Sequence, residues 1–233
     1  AGLTTADRHF SAERLGRGAI GQAGVTAAPF EAWMDNWHMT SRAPAGADAL
    51  SALDLFAGGD GFSYDLTLTA DGPLVFQGDA GYSVKSAEGQ ASYYYSQPFY
   101  EVTGTLTLPE GPVAVTGTAW LDREWSSQPL SETQDGWDWF SLQFADGSRM
   151  MGFGLRDRSG DTYTAATWIT PDGTATPYPD GALRLTPLGW AEVAGRRVPV
   201  EWRLELPARG VDITTVPLNP QSWMDVSVSY WEG

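Results

Sequence analysis

The apolar residues of this chain recur mainly at every second position, the spacing that puts alternate side chains on one face of a β-strand. Between residues 200 and 206, Val, Trp and Leu alternate with Glu and Arg. Segments 64–68 and 224–230 alternate in the same way, and segments 99–108 and 113–120 are rich in Val, Thr and aromatic residues. No segment shows a sustained 3.6-residue period with capping residues at its ends. The pattern predicts an all-β fold of antiparallel strands with little helix.

Turn sequences separate these segments. Asp-Gly pairs begin at residues 71, 146, 172 and 180, and Asp-Gly readily adopts the positive backbone φ that tight hairpins require. We therefore expect a hairpin at each pair, as in antiparallel barrels and sandwiches. The Pro-Glu-Gly-Pro sequence at 109–112 predicts a domain boundary, with an N-terminal domain at 1–110, short of strands for closure, and a C-terminal domain at 111–233.

Composition and charge narrow the class of protein. The 233 residues are 42% hydrophobic and 18% charged, which is a globular composition. The formal net charge of −15 disfavours nucleic acid and anionic membrane surfaces as partners. No apolar run is long enough to predict a membrane span.

The chain contains no Cys and two His, so disulfides, thiolate catalysis and thiolate metal sites are excluded. The sequence contains no nucleophile elbow, zinc-protease motif, Walker loop or dinucleotide fingerprint. We expect no cofactor and no metal. The first residue is Ala rather than Met, so we expect a processed or trimmed start. The absence of Cys is compatible with a periplasmic, secreted or cytoplasmic location.

Eleven tryptophans are the main anomaly, and in segments 33–38, 119–127 and 136–144 they stand beside acidic residues. Such residues either line an apolar cavity or fill a Trp-rich core. The candidate ligand-binding residues are Trp137, Trp139, Trp125, Trp120, Tyr93, Tyr95, Trp37 and His38. For the tyrosines core packing is the alternative, and for His38 an ordinary hydrogen-bonding role.

Asp138 heads an otherwise apolar strand face, with Trp137 and Trp139 on the opposite face. A carboxyl group in apolar surroundings has a raised pKa, which suits a general acid. As an acid, Asp138 should have few charged partners. The alternative is a buried structural carboxylate, for which Arg123 is the obvious partner.

Asp122 and Glu124 share a strand face with Trp120. The two carboxyl groups form a candidate acid and base pair, and the alternative is a charged network with Arg123. Oxygen ligation of a metal by these residues and Asp138 matches no loop signature, so we predict no metal site.

Two long motifs carry a family resemblance: AWLDREWSSQPL at 119–130 and GWDWFSLQFADGSRMM at 136–151. Supporting matches are RGAIGQAG, AWMDNW, QGDAGYSVK, ASYYYS and YWEG. The chain resembles the hydroxyneurosporene synthase or carotenoid 1,2-hydratase-related family of lipocalin-like proteins (AttH/CrtC type), and is closer to its secreted "predicted hydrolase" branch. The resemblance implies two lipocalin-like β domains in tandem, the first incomplete, with apolar ligand space. It also implies that segments are missing at both ends.

Three functions follow as hypotheses for an apolar isoprenoid-, polyene- or polyketide-like ligand. The first is a cofactor-independent hydratase, in which Asp138 protonates a C=C bond, aromatic faces stabilise the cation, and Glu124 or Asp122 orients water. The second is a non-catalytic carrier of a lipid or other hydrophobic ligand. The third is a pericyclase-like template that positions a flexible polyene for cyclisation.

Overall fold

The computed structural model describes residues 1–127 and 130–233. Gln128 and Pro129, near the end of the AWLDREWSSQPL motif, lie outside the described residues. The described part of the chain consists of strands and turns with one three-residue 3-10 helix, Pro207–Arg209, which confirms the predicted all-β class.

The first sheet contains nine antiparallel strands. They are β3 (Ala23–Ala27), β4 (Phe30–Met34), β5 (Trp37–Ser41), β6 (Ala52–Gly59), β7 (Phe62–Ala70), β8 (Val75–Phe76), β9 (Tyr82–Val84), β10 (Ala91–Leu108) and β11 (Gly111–Trp125). Their order is β11-β10-β7-β6-β5-β4-β3, and β8 and β9 pair with the N-terminal half of β10.

The remaining strands form four smaller sheets. The middle sheet has the order β12 (Gln134–Gln143), β13 (Arg149–Asp157), β14 (Thr162–Ile169) and β15 (Ala175–Tyr178). The last sheet has the order β16 (Arg184–Val193), β17 (Arg196–Leu206) and β18 (Val211–Thr215). Two-stranded sheets are formed by β1 (Gly2–Thr4) with β2 (His9–Ser11), and by β19 (Trp223–Met224) with β20 (Tyr230–Trp231).

The break at 109–112 is a hairpin turn. Strands β10 and β11 pair from Leu108 opposite Gly111 to Tyr93 opposite Trp125, with one irregularity between Gln97 and Tyr100. The predicted boundary between residues 110 and 111 therefore falls inside one sheet, because β11 is the edge strand of the first sheet. A division into two domains remains a prediction, and it would keep β11 with the first domain.

Two of the four predicted Asp-Gly hairpins are present. Gly147 and Gly173, at φ 87° and 86°, turn β12 into β13 and β14 into β15. The prediction is wrong at 71–72, because β7 and β8 both pair with the long strand β10 rather than with each other. It is also wrong at 180–181, where the chain passes from the middle sheet to the last sheet.

The prediction of one continuous strand at 224–230 is also wrong. The chain folds back there, so that Met224 pairs with Tyr230 and Trp223 with Trp231. The backbone N–H of Ser227 between them donates to the carboxylate of Glu13, 3.0 and 3.1 Å from its two oxygens. The segment has the period-2 alternation of a strand, but its middle residue hydrogen-bonds to a side chain far away in the sequence instead of to a neighbouring strand.

The middle sheet is packed on both faces. On one face Met150 packs with Leu183, Trp202 and Leu204, and this contact with the last sheet is close because β13 carries glycine there. A Cβ atom on Gly152 would lie 2.8 Å from Leu183 Cδ2. On the other face Met151, Phe153 and Leu155 pack against Tyr94 of the first sheet. The space between the first and middle sheets holds the site described below.

Candidate functional site: a buried carboxylate cluster

The two faces of the β10–β11 hairpin differ in chemistry. Tyr94 lies opposite Glu124 and Ser96 lies opposite Asp122, and these four side chains point from one face of the hairpin. Tyr94 and Ser96 are buried there, and Tyr94 packs against the middle sheet. The register places Tyr94, Ser96, Asp122 and Glu124 together, and Lys85 contacts Glu124 from the loop after β9. We call these five residues the carboxylate cluster.

The hydrogen-bond donors to Asp122 in the described part of the chain are neutral groups. Its Oδ1 lies 2.5 Å from Ser96 Oγ and 2.7 Å from Trp120 Nε1. Burial raises the pKa of Asp122 above its ordinary value, the hydrogen bonds from Ser96, Trp120 and Tyr94 oppose that rise, and the charge of Glu124 adds to it. The Asp122 carboxyl group is thus shifted toward its protonated form.

Glu124 has a cation for a partner. Lys85 Nζ lies 2.7 Å from Glu124 Oε1, and Ser92 Oγ donates to the same oxygen at 2.5 Å. The Lys85 side chain is only 10% exposed, and its ammonium lies 4.1 Å from the centre of the Phe153 ring. Burial lowers the pKa of Lys85, and the charge of Glu124 opposes that lowering.

Tyr94 joins the cluster to the middle sheet. Its hydroxyl oxygen accepts a hydrogen bond from Trp139 Nε1 at 3.2 Å, and its hydroxyl group interacts with Asp122. Burial, reinforced by the charge of Asp122, raises the pKa of Tyr94, so the phenol stays neutral across the physiological range. The cluster therefore contains a neutral hydroxyl donor between a carboxyl group and an exposed tryptophan.

Asp138 is held apart from this cluster. On β12 it lies on the opposite face from Trp139, because Asp138 pairs with Gly154 while Trp139 pairs with Phe153. Its carboxylate forms an ion pair and hydrogen bond with Arg156. Burial raises the pKa of Asp138, and Arg156 opposes the rise.

These contacts correct two expectations about Asp138. The expectation of few charged partners is wrong, because Arg156 sits directly on the carboxylate. Arg123, named as its possible partner, is the wrong arginine: it lies on β11 opposite Tyr95, on the face turned away from the cluster. Arg156 follows Gly154 on β13 at the two-residue spacing that puts it on the Asp138 face.

The eight candidate ligand-binding residues divide among three places. Trp120 and Trp139 hydrogen-bond within the cluster, and Trp137, 50% exposed, shares the strand face of Trp139. The second set, Tyr93, Tyr95 and Trp125, lies on the other face of the hairpin. Trp125 stacks on Tyr93 and meets Tyr95 edge-on, and Phe76 and Tyr82 make edge contacts with Tyr95 and Tyr93.

Trp37 and His38 lie elsewhere on the first sheet. A groove of about 540 Å³ adjoins Trp37, Phe56 and the glycine-rich turn 58–61, and a second of about 240 Å³ adjoins Trp37, His38 and Phe56. The His38 ring stacks on Phe56 with 5.8 Å between ring centres. Neither Asp122 nor Glu124 lines these two grooves.

Sequence reasoning missed Lys85, Ser96 and Gln77, whose side chains are buried beside the two carboxyl groups. Lys85 is the only lysine in a chain with thirteen arginines, and that was the one available signal. In residues 1–127 and 130–233 no group of three or more His, Asp or Glu side chains is placed to hold a metal ion. Nor does that part of the chain contain a helix long and apolar enough to cross a membrane.

Comparison with known proteins identifies the family of this chain and solved structures with a similar fold. The family model described as AttH-like matches residues 1–233. The crystal structure of an AttH protein from Nitrosomonas europaea is 29% identical, with a TM-score of 0.75. Kievitone hydratase from Nectria haematococca is 22% identical with a TM-score of 0.67, which shows a shared fold alone.

Each comparison covers 84% of this chain and 60% of the other, so the chain spans about three fifths of the length of these two structures. No curated protein matches. The lipocalin-like fold class and the family resemblance read from the two Trp-Asp motifs are confirmed.

Proposed function

This chain belongs to the AttH-like family, and we propose that it adds water to a C=C bond of an apolar, isoprenoid- or polyene-like small molecule at the carboxylate cluster. The observation that carries the proposal is the pairing of two unlike carboxyl groups on one strand face. Asp122 accepts its hydrogen bonds from neutral donors and has a raised pKa, whereas Glu124 is in direct contact with a buried ammonium. When two neighbouring carboxyl groups have such different surroundings, one is suited to act as the acid and the other as the base.

The chemistry is balanced without a cofactor. The protonated carboxyl of Asp122 transfers its proton to one alkene carbon, and the C=C π electrons form the new C–H bond. Water then adds to the carbocation at the other carbon, and Glu124 accepts the proton that this water loses. Return of that proton from Glu124 to Asp122 restores the starting state, so that alkene and water become an alcohol.

The open side of the cluster supports a place for an apolar ligand. Glu124 and Trp139 each remain 40% exposed, and Trp137 is more exposed still. Tryptophan faces stabilise a nearby cation electrostatically, and they also bind apolar surface. A ligand beside Trp137 and Trp139 would contact the same open side of the cluster as Glu124.

Asp122 takes the acid role that the sequence pattern first suggested for Asp138. The guanidinium of Arg156 stabilises the ionised form of Asp138 and opposes the rise in pKa that burial produces, whereas the hydrogen-bond donors of Asp122 carry no charge. Asp138 therefore has a structural role in this proposal. The shared fold with a protein named as a hydratase is consistent with hydration, but it contributes fold alone.

A non-catalytic carrier is the second candidate, and a specific observation favours it. The grooves beside Trp37 and Phe56 are separate from Asp122 and Glu124, so a hydrophobic molecule held there would contact neither carboxyl group. In that case the cluster would be structural.

Isotope incorporation separates the two candidates. The protein is incubated in H₂¹⁸O with a panel of acyclic isoprenoids that includes squalene and geraniol, and products are analysed by mass spectrometry. We expect one ¹⁸O per product alcohol. Asp122→Asn should lower the rate by about 10²–10⁴-fold, because it keeps the shape and removes the proton. Asp138→Asn is the matched control and should retain activity.

Two results would contradict the proposed reaction. One is wild-type protein that binds a panel member and leaves it without ¹⁸O, which supports the carrier. The other is full activity in Asp122→Asn together with loss of activity in a folded Asp138→Asn variant, which would return the acid role to Asp138.

A further inference from the structure

A chain of three side chains leads from the cluster into the protein interior. Gln77 Nε2 donates to Ser96 Oγ at 2.8 Å, and Ser96 Oγ in turn donates to Asp122 Oδ1 at 2.5 Å. Gln77 and Ser96 are both completely buried. Both hydrogen bonds are donated in the direction of Asp122, and this direction stabilises the ionised form of its carboxyl group.

The amide of Gln77 is held at one end only. Within the described residues its Oε1 is buried and accepts no hydrogen bond. Two other buried glutamines use both ends of the amide. Gln97 donates to the Gly72 carbonyl and accepts from the Phe99 N–H.

Gln134 likewise donates to the Lys85 carbonyl and accepts from the Ser131 N–H. Backbone partners at both ends lock these two amides in one orientation. For Gln77 a half-turn of the amide exchanges two atoms of similar size and breaks no bond at the outer end. Its orientation is therefore set by Ser96 alone.

We propose that Gln77 and Ser96 form a reversible hydrogen-bond chain, which turns over when Asp122 gains a proton. In the reversed state the Asp122 O–H donates to Ser96 Oγ, Ser96 O–H donates to Gln77 Oε1, and the Gln77 amide has turned by a half-turn. No covalent bond changes apart from the O–H bond on Asp122. Gln77 and Ser96 are positioning residues.

The physical reason is that a buried hydroxyl needs an acceptor for its proton. A serine has one O–H, so it cannot donate to a protonated Asp122 that itself donates to the serine. With the proton on Asp122 Oδ1 and a fixed Gln77 amide, the buried O–H of Ser96 would have no acceptor, which is costly. The free carbonyl of Gln77 supplies that acceptor, so that the Ser96 hydroxyl has an acceptor in both protonation states of Asp122.

The inference rests on the proposed function for its purpose, since an acid must exist in both states during turnover. Other charged or titratable groups facing Asp122 are Tyr94 from β10, Glu124 from β11, and Lys85 from the loop after β9. The middle sheet contributes the apolar side chains of Met151 and Phe153 to this region. The tests therefore leave these three groups unchanged.

The effect of Gln77→Met on the pKa of Asp122 distinguishes a reversible chain from a fixed one, because the two predict opposite changes. The pKa of Asp122 is measured by carboxyl ¹³C NMR in the wild type and in Gln77→Met, with the signal assigned by Asp122→Asn. A reversible chain needs Gln77 as acceptor in the protonated state, so Gln77→Met should lower the pKa by roughly 0.5–1 unit. A fixed chain needs Gln77 only as a donor that polarises Ser96 toward the carboxylate, and its loss should then raise the pKa.

Ser96→Ala calibrates the measurement. It removes a donor from the ionised carboxylate and should raise the pKa of Asp122. The pKa of Asp138, on the opposite face of β12, should remain unchanged in both variants, which checks that the fold is intact. An increase in Gln77→Met, or no change in Ser96→Ala, would overturn the proposal.

Failure of this inference and failure of the proposed function are distinguishable, because the titration requires no substrate. A lowered pKa in Gln77→Met without ¹⁸O incorporation by the wild type would support the reversible chain and contradict hydration. A raised pKa with normal ¹⁸O incorporation would leave hydration supported and the chain fixed.

Discussion

Asp122 and Asp138 are both largely buried aspartates, and burial raises the pKa of both. Their partners differ in charge. Asp138 forms an ion pair with the guanidinium of Arg156, whereas Asp122 accepts hydrogen bonds from the uncharged groups of Ser96, Trp120 and Tyr94. A raised pKa alone therefore does not identify an acid. The charge of the immediate partner separates a carboxyl group that can hold a transferable proton from one that forms a structural pair.

Position separates the two groups as well. Asp138 stands on the face of the middle sheet that packs against the last sheet, and Asp122 faces the same sheet from the opposite side. Asp122 lies on the same strand as Glu124, whereas Asp138 forms its ion pair with Arg156 on the neighbouring strand β13. The strongest expected consequence is the loss of turnover in Asp122→Asn and its retention in Asp138→Asn, stated above.

The next largest effect concerns the Asp138–Arg156 pair, which should be asymmetric. Arg156→Met leaves an aspartate side chain that is 17% exposed without its cation, and should cost about 1–3 kcal/mol of unfolding free energy at pH 7. Asp138→Asn leaves an arginine that is 46% exposed and hydrated, and should cost about 1 kcal/mol or less. Urea unfolding of both variants measures the difference.

The sign of the pH dependence gives a second readout for Arg156→Met. With a raised folded-state pKa, the folded protein binds the Asp138 proton more tightly than the unfolded chain does. Stability should then fall as the pH rises above the ordinary value of 3.8, and the deficit of the variant should shrink near pH 4. A larger loss in Asp138→Asn than in Arg156→Met would contradict the comparison.

A smaller effect is expected for Lys85→Met in the carboxylate cluster. Replacing one buried charge by an apolar side chain of similar length should change the stability at pH 7 by about 1–2 kcal/mol in either direction. The diagnostic is the pH profile. The lowered pKa of Lys85 means that the unfolded chain binds its proton more tightly, so the wild type should gain stability relative to the variant between pH 7 and pH 10.

Thermal unfolding of the wild type and Lys85→Met over this range measures the gain. The other titratable groups are present in both proteins, so their contributions largely cancel in the difference. A difference that stays constant with pH, or that shifts in favour of the variant, would show that the Lys85 ammonium is not held in a desolvating site.

The smallest effect is expected for Gly136→Ala, which disturbs the Asp138 pair without changing a charge. A Cβ atom at Gly136 would collide with the Arg156 guanidinium, so Arg156 must move away from Asp138. We expect a loss of about 0.5–1 kcal/mol by urea unfolding, and a higher pKa for Asp138 by NMR.

Gly117→Ala is the matched control for this substitution. It is also a strand glycine, and a Cβ atom there meets nothing within 4 Å. It should be neutral or slightly stabilising. Equal losses in the two variants would mean that the effect at Gly136 comes from the backbone and does not depend on Arg156.

Local features of the fold could be predicted wherever one strand contained the whole pattern. The alternation at 200–206 appears as buried Val200, Trp202 and Leu204 on β17, and the assignment of Asp138 and Trp139 to opposite faces also agrees with the register. The prediction of a single strand at 224–230 was wrong because the structure of this segment depends on contacts outside it. Its alternation was local, but the segment folds back on itself, and its middle residue Ser227 hydrogen-bonds to Glu13, which lies more than two hundred residues away.

Residue order was enough for strand faces, for the all-β class and for the family, because side-chain direction along a strand and a long motif are both local properties. Partner choice is not local. The register of β10 against β11 put Ser96 and Tyr94 beside Asp122 and Glu124, and sheet packing brought Trp139 to Tyr94. The contacts of Lys85 with Glu124 and of Arg156 with Asp138 depend on how separate strands meet in space, and so does the burial that shifts these pKa values. The tertiary structure therefore decided which carboxyl groups form a direct ion pair with a cation and which one accepts its hydrogen bonds from neutral donors.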